Sequence, residues 1–122
     1  MTPVKTTQEV ADRFYALAQE NLWFEIQEEL FSEDVKSTEP EGAIYLPTVQ
    51  GKTAVRQKGE AWVKRIEEFH SGSTSQPLVA GQHFAIGRNV DITVTGHGRL
   101  QFNQMMLYKV REGKIISEQF FY

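Results

Sequence analysis

Two charged residues stand where the sequence pattern calls for apolar ones. In the alternating run from Phe84 to Val94 the even positions read Phe84, Ile86, Arg88, Val90, Ile92 and Val94. In the closing run Ile116, Glu118, Phe120 and Tyr122 share one parity. A strand sends alternate side chains to opposite faces, so Arg88 and Glu118 belong to the apolar side of a sheet. A lone charge there is too costly, so each must be paired, hold a ligand or reach water. A carboxylate facing an arginine is also equipment for acid–base chemistry: the acid moves a proton and the guanidinium steadies the charge that develops. A structural ion pair that plugs the core is the competing reading, and the sequence leaves both open. A third acid, Glu39, ends a short strand just before Pro40. It reads either as a general base at a pocket mouth or as a solvated acid beside Glu33, Asp34 and Glu41.

Turn residues set the expected register of these charges. Val110-Arg111-Glu112-Gly113-Lys114 suits a three-residue hairpin loop with glycine at the left-handed position. That pairs Val110 with Lys114 and places Met106 opposite Glu118, Gln104 opposite Phe120 and Phe102 opposite Tyr122. A similar loop at Gly96-His97-Gly98 pairs Thr95 with Arg99 and sets Arg88 opposite Met106. Arg88, Met106 and Glu118 then form one row across the inner face, with the two charges in mutual reach.

The elements that must carry this row follow from periodicity. Thr6-Thr7-Gln8-Glu9 is a capping box, and Val10, Phe14, Leu17 and Ala18 continue it as one helical stripe. After Asn21 a second helix runs from about Trp23 to Phe31. Val35 to Glu39 reads as a short strand, and Pro40 to Pro47 as a loop folded back onto the body. A third helix begins after Gly51, with Val55, Gly59, Trp62, Ile66 and Phe69 on one face, and ends at His70-Ser71-Gly72-Ser73. The second half is a strand meander. Helices followed by strands make an α+β fold, with helices on one face of an antiparallel sheet.

Composition narrows the function classes. The chain has 122 residues, the size of one domain, spanning 1–122, and its 40% apolar content supplies one core. With no cysteine there is no disulfide or thiolate chemistry. His70, His83 and His97 share no ligand spacing, so no metal is expected, and no nucleotide fingerprint implies a cofactor. A net charge of −3 without a basic cluster argues against nucleic acid. No apolar run nears the ~20 residues of a membrane span, and no signal-peptide stretch is present, so the expected location is cytoplasmic.

The order of elements, with Val35-Lys36-Ser37-Thr38-Glu39-Pro40, the stretch from Tyr108 to Glu118 and the closing Gln119-Phe120-Phe121-Tyr122, resembles the cone-shaped fold of nuclear transport factor 2, ketosteroid isomerases and SnoaL-like polyketide cyclases. The resemblance covers essentially the whole chain. It implies a small-molecule pocket, and puts Glu39 where the isomerases have their aspartate base. Their oxyanion-hole tyrosine falls at Phe14, with Tyr15 one step off the stripe, and their protonated acid falls near Met106. Without either donor, steroid isomerisation by that route is not expected. The set Glu118–Arg88–Glu39 is similar to the water-activating site of limonene-epoxide hydrolase, although Val90 stands where that family has an acid.

The expected site is therefore Glu118, Arg88 and Glu39 as catalytic groups, inside walls made of Phe14, Trp62, Phe84, Phe102, Met106 and Phe120. Gln104 and Tyr122 would supply polar contacts. The leading expectation is a pocket for a small apolar molecule, with isomerase, cyclase or epoxide-hydrolase type chemistry. The alternatives are a non-catalytic ligand-binding domain and a dimeric interaction domain. Met105, Leu107, Ile115 and Phe121, on the opposite parity, are expected on the outer sheet face and fit a homodimer.

Overall fold

The computed structural model describes residues 4–43 and 46–122. Helix α1, Thr7–Gln19, opens on the expected capping box: the Glu9 backbone N–H donates to Thr6 Oγ1 (3.1 Å) and the Thr6 N–H to Glu9 Oε1 (2.9 Å). Asn21, at φ 57°, breaks the chain direction after it, a conformation that asparagine tolerates better than most residues. Helix α2, Trp23–Leu30, leads straight into strand β1, Phe31–Thr38. A two-residue strand β2, Val49–Gln50, precedes Gly51, whose φ of 98° starts helix α3, Lys52–Arg65. The remaining strands are β3 (Ile66–Thr74), β4 (Leu78–Ala80), β5 (His83–Val94), β6 (Gly98–Arg111) and β7 (Lys114–Phe121).

The strands form one open, curved sheet in the order β2-β1-β7-β6-β5-β3, with β4 also bordering β5. The α+β cone is as expected, with one refinement: β1 runs parallel to β7, so the sheet is mixed. Phe14 from α1 meets Phe84 (5.5 Å between ring centres) and Tyr108 (4.6 Å), and Tyr108 stacks on Phe84 at 5.0 Å. Together with Val10, Ile26, Leu30 and Ile115 they join helices and sheet into one core.

Several expectations need correction. The third helix stops at Arg65 rather than near Phe69, and Ile66–Thr74 is a strand along β5. Ile66 and Phe69 fit a helical stripe, but the long β5 needs a partner on that edge, and Ser71 to Thr74 are weak helix formers. The loop around Pro40–Pro47 begins with a turn closed by Ala43 N–H to Pro40 O, 3.1 Å, while Ile44 and Tyr45 lie outside the described residues.

The registers also differ, each by two residues. The β5–β6 loop is Thr95-Gly96-His97, one residue earlier than expected, so Arg88 pairs with Gln104 and Ile86 with Met106. The β6–β7 turn has two residues, Glu112 (φ 51°) and Gly113 (φ 77°), the signature of a type I′ turn. A bulge follows, because Val110 pairs with Ile115 but Lys109 with Ser117. Turn and bulge each shift the ladder by one residue. Either alone would turn Glu118 outward; together they restore its face. Tyr108 is therefore opposite Glu118, and Met106 opposite Phe120. The bulge also brings Ile115 into the core at 0% exposure, so Ile115 leaves the outer face expected for it.

Candidate functional site

Between helices and sheet lies a cavity of about 680 Å³. Its walls are mostly carbon: Phe14, Trp62, Phe102, Met106 and Phe120 are among its lining, and Gln104 contributes an amide. Phe84 does not; it is 1% exposed in the core behind Phe14 and Tyr108. Tyr122 lies instead beside a neighbouring cavity of about 230 Å³ that shares Leu46, Trp62 and Phe102.

The polar wall is built on β1 and α3. Val35, Ser37 and Glu39 alternate onto the inner face, where all three are buried. Lys58, three residues after Val55, faces them from α3. Its ammonium donates to Glu39 Oε2 and to Ser37 Oγ, both at 2.7 Å. The Ser37 hydroxyl then donates to Glu118 Oε1 at 2.7 Å. At the other end the Tyr122 hydroxyl donates to Glu39 Oε1 at 2.6 Å. The result is one continuous chain of contacts, Glu118–Ser37–Lys58–Glu39–Tyr122, from the cavity wall to a half-exposed tyrosine.

Glu118 is 6% exposed, and burial pushes its carboxyl up to about 7. The Ser37 hydrogen bond and the Lys58 charge oppose that rise, the Glu39 charge adds to it, and Tyr108 opposes it weakly. The Tyr108 hydroxyl also touches Met106 Sδ at 3.5 Å. Burial and the adjoining Glu39 carboxylate hold the Tyr122 hydroxyl well above its ordinary value.

Glu39 and Glu118 are thus brought into one network, but Arg88 is not part of it. The expected Arg88–Glu118 contact is absent among the described residues. In the observed register the row of Glu118 meets β5 at Phe84, about 13 Å along the strand from Arg88. Arg88 instead donates to Thr74 Oγ1 (2.9 Å), and its guanidinium lies 4.6 Å from the Trp23 ring centre. The partner of the buried acids is Lys58, which sequence reasoning missed. Its signal was present: Lys58 interrupts the helical stripe of Val55, Gly59 and Trp62 as Arg88 interrupts a strand. Ser37, between Val35 and Glu39 on one parity, was legible in the same way.

A family model for the SnoaL-like domain matches residues 5–122. A Mesorhizobium loti protein provisionally described as a SnoaL-like polyketide cyclase is 32% identical over 97% of this chain and 100% of its own, with a TM-score of 0.91. A Catenulispora acidiphila protein with a ketosteroid isomerase-like fold, in complex with trimethylamine, is 19% identical over 96% of this chain and 87% of its own, at a TM-score of 0.72. TerC, co-crystallised with polyporic acid, is 13% identical over 95% and 90% of the two chains, also at 0.72. Among curated proteins, none matches.

Proposed function

The chain belongs to the SnoaL-like domain family, and from that premise we propose that it binds a small, largely apolar molecule in the cone and performs cofactor-independent acid–base chemistry on it. The observation that carries this reading is Glu118, a carboxyl with a pKa of about 7 on the wall of an apolar cavity. A group poised near neutrality can both take and return a proton, as proton abstraction beside a carbonyl, cyclisation or epoxide opening requires. Glu39 is the second proton-transfer group, and Lys58 supplies the positive charge first assigned to Arg88. Ser37 and Lys58 would conduct protons from Glu118 to Glu39 and Tyr122. The small molecules held by two proteins of this fold support the cavity as a ligand site.

The test is exchange of the α-protons of a cyclic ketone in deuterated buffer, followed by NMR. Wild-type protein should accelerate exchange, and Glu118→Gln should abolish the acceleration while retaining the ketone. A non-catalytic binding domain is the second reading, favoured by the full engagement of Glu118 Oε1 with Ser37. It predicts ketone binding without exchange in either protein.

The assembly proposed is a homodimer through the outer sheet face. Met105 (48% exposed) and Phe121 (42%) are paired across β6 and β7 and form an apolar patch there. Among the described residues no helix is long and apolar enough to cross a membrane. A cysteine-free chain suits the reducing cytoplasm, which is the location we propose.

A further inference from the structure

Arg88 is a cation on the cavity wall with no carboxylate partner among the described residues. Burial lowers its pKa, the sign of a charge held away from water. Yet its position is fixed: Trp23 covers one face of the guanidinium, and Thr74 takes one Nη1 hydrogen. A fixed, partly desolvated guanidinium with unused donors is built to receive something planar and negative. Gln104, its neighbour across the β5–β6 ladder, also lines the cavity, and its amide makes no hydrogen bond with another described residue. Aromatic rings line the cavity elsewhere, among them Phe14, Trp62 and Phe102.

We propose that Arg88, held by Thr74 and Trp23 and flanked by Gln104, is a subsite for the carboxylate of a planar, aromatic carboxylic acid whose ring system fills the apolar part of the cavity. The guanidinium takes the carboxylate through its fork of N–H donors, and Gln104 donates beside it. The inference rests on the reading of the cavity as a ligand site, and assigns it a substrate class and a polarity. Ligands enter with their anionic end at Arg88, away from the row of Glu118, so the two carboxylates do not meet. Arg88 is here a binding residue, separate from the proton-transfer chain.

Two probes of matched shape, 2-naphthoate and 2-naphthamide, test it by calorimetry at neutral pH. The acid should bind at least about tenfold more tightly than the amide, as a charge-assisted hydrogen-bond pair implies. Arg88→Met should remove that preference, weakening the acid far more than the amide. Arg88→Lys, which keeps the charge without the fork, should retain part of it. In wild-type protein the acid, and not the amide, should shift the Arg88 15Nε resonance, a readout that holds even if a variant fails to fold. Amide binding without any preference for the acid overturns the subsite alone. An acid preference that survives Arg88→Met, with the Arg88 resonance unmoved, overturns it too. If neither probe binds, the subsite and the ligand-pocket reading fall together.

Discussion

The ammonium of Lys58 lies 2.7 Å from Glu39 Oε2, and the two side chains are only 7% and 3% exposed. Such a pair is costly to desolvate and costlier to break, because removing one member strands the other charge. Glu39→Gln or Lys58→Met should each destabilise the fold by about 3–5 kcal/mol, measured by urea unfolding. The double variant should recover much of that loss, and the difference measures the coupling. Single variants costing less than about 1 kcal/mol would mean that the pair behaves as a surface contact.

Glu118 makes folding pH-dependent in the direction opposite to an ordinary paired acid. Its carboxyl titrates near 7 in the folded chain, against an ordinary value of 4.5. Between those values the folded state binds more protons than the unfolded one, so stability falls as pH rises. This group alone should lower stability by up to about 3 kcal/mol from pH 4.5 to pH 7, with little further change above it. Glu118→Gln should flatten the profile in that window. A parallel decline in the variant would place the titrating group elsewhere.

The cavity can be closed from Met106, which is 3% exposed on its wall. Met106→Trp should keep the fold, since the larger ring has open space to enter, and weaken Nile red binding by about tenfold or more. Unfolding of the variant instead would show a packed interior that rejects the added volume.

The β6–β7 turn offers a gain in stability. Glu112 sits at φ 51° and Gly113 at 77°, and only the second is suited to that region. Glu112→Asn should raise stability by about 0.5–1 kcal/mol through the Asn-Gly preference of type I′ turns. Gly113→Ala should be strongly unfavourable, because the new Cβ would stand 2.9 Å from Lys5 N. Equal melting temperatures for all three proteins would contradict the turn assignment.

The outer face should make the chain dimeric at micromolar concentration. Met105→Lys and Phe121→Lys place like charges on paired positions of adjacent strands, and together should yield a monomer in sedimentation. A wild-type monomer at every concentration would remove the outer-face argument.

The sequence by itself determined what depends on local period and chemistry. The capping box at Thr6, the inward parity of Phe84 to Val94, and the order of helices before strands all follow from nearest-neighbour geometry. The burial of the two acids does not follow from it: alternation left Glu39 either solvated or buried, and Glu118 keeps its inward face only because the turn and the bulge offset each other. Which residue stands opposite which was decided only by tertiary structure. A two-residue turn plus a bulge gives the same parity as a three-residue loop, yet moves β7 by two places along β6. That displacement, with its counterpart at Thr95-Gly96-His97, parts Arg88 from Glu118 and leaves each to another partner. Lys58 and Glu39 are 19 residues apart in the chain, on a helix and at the end of a strand. Their meeting depends on how α3 crosses β1, a packing angle that no local pattern encodes. The charges that would need neutralising were thus legible in the sequence, while the choice of neutraliser rested on the geometry of the closed cone.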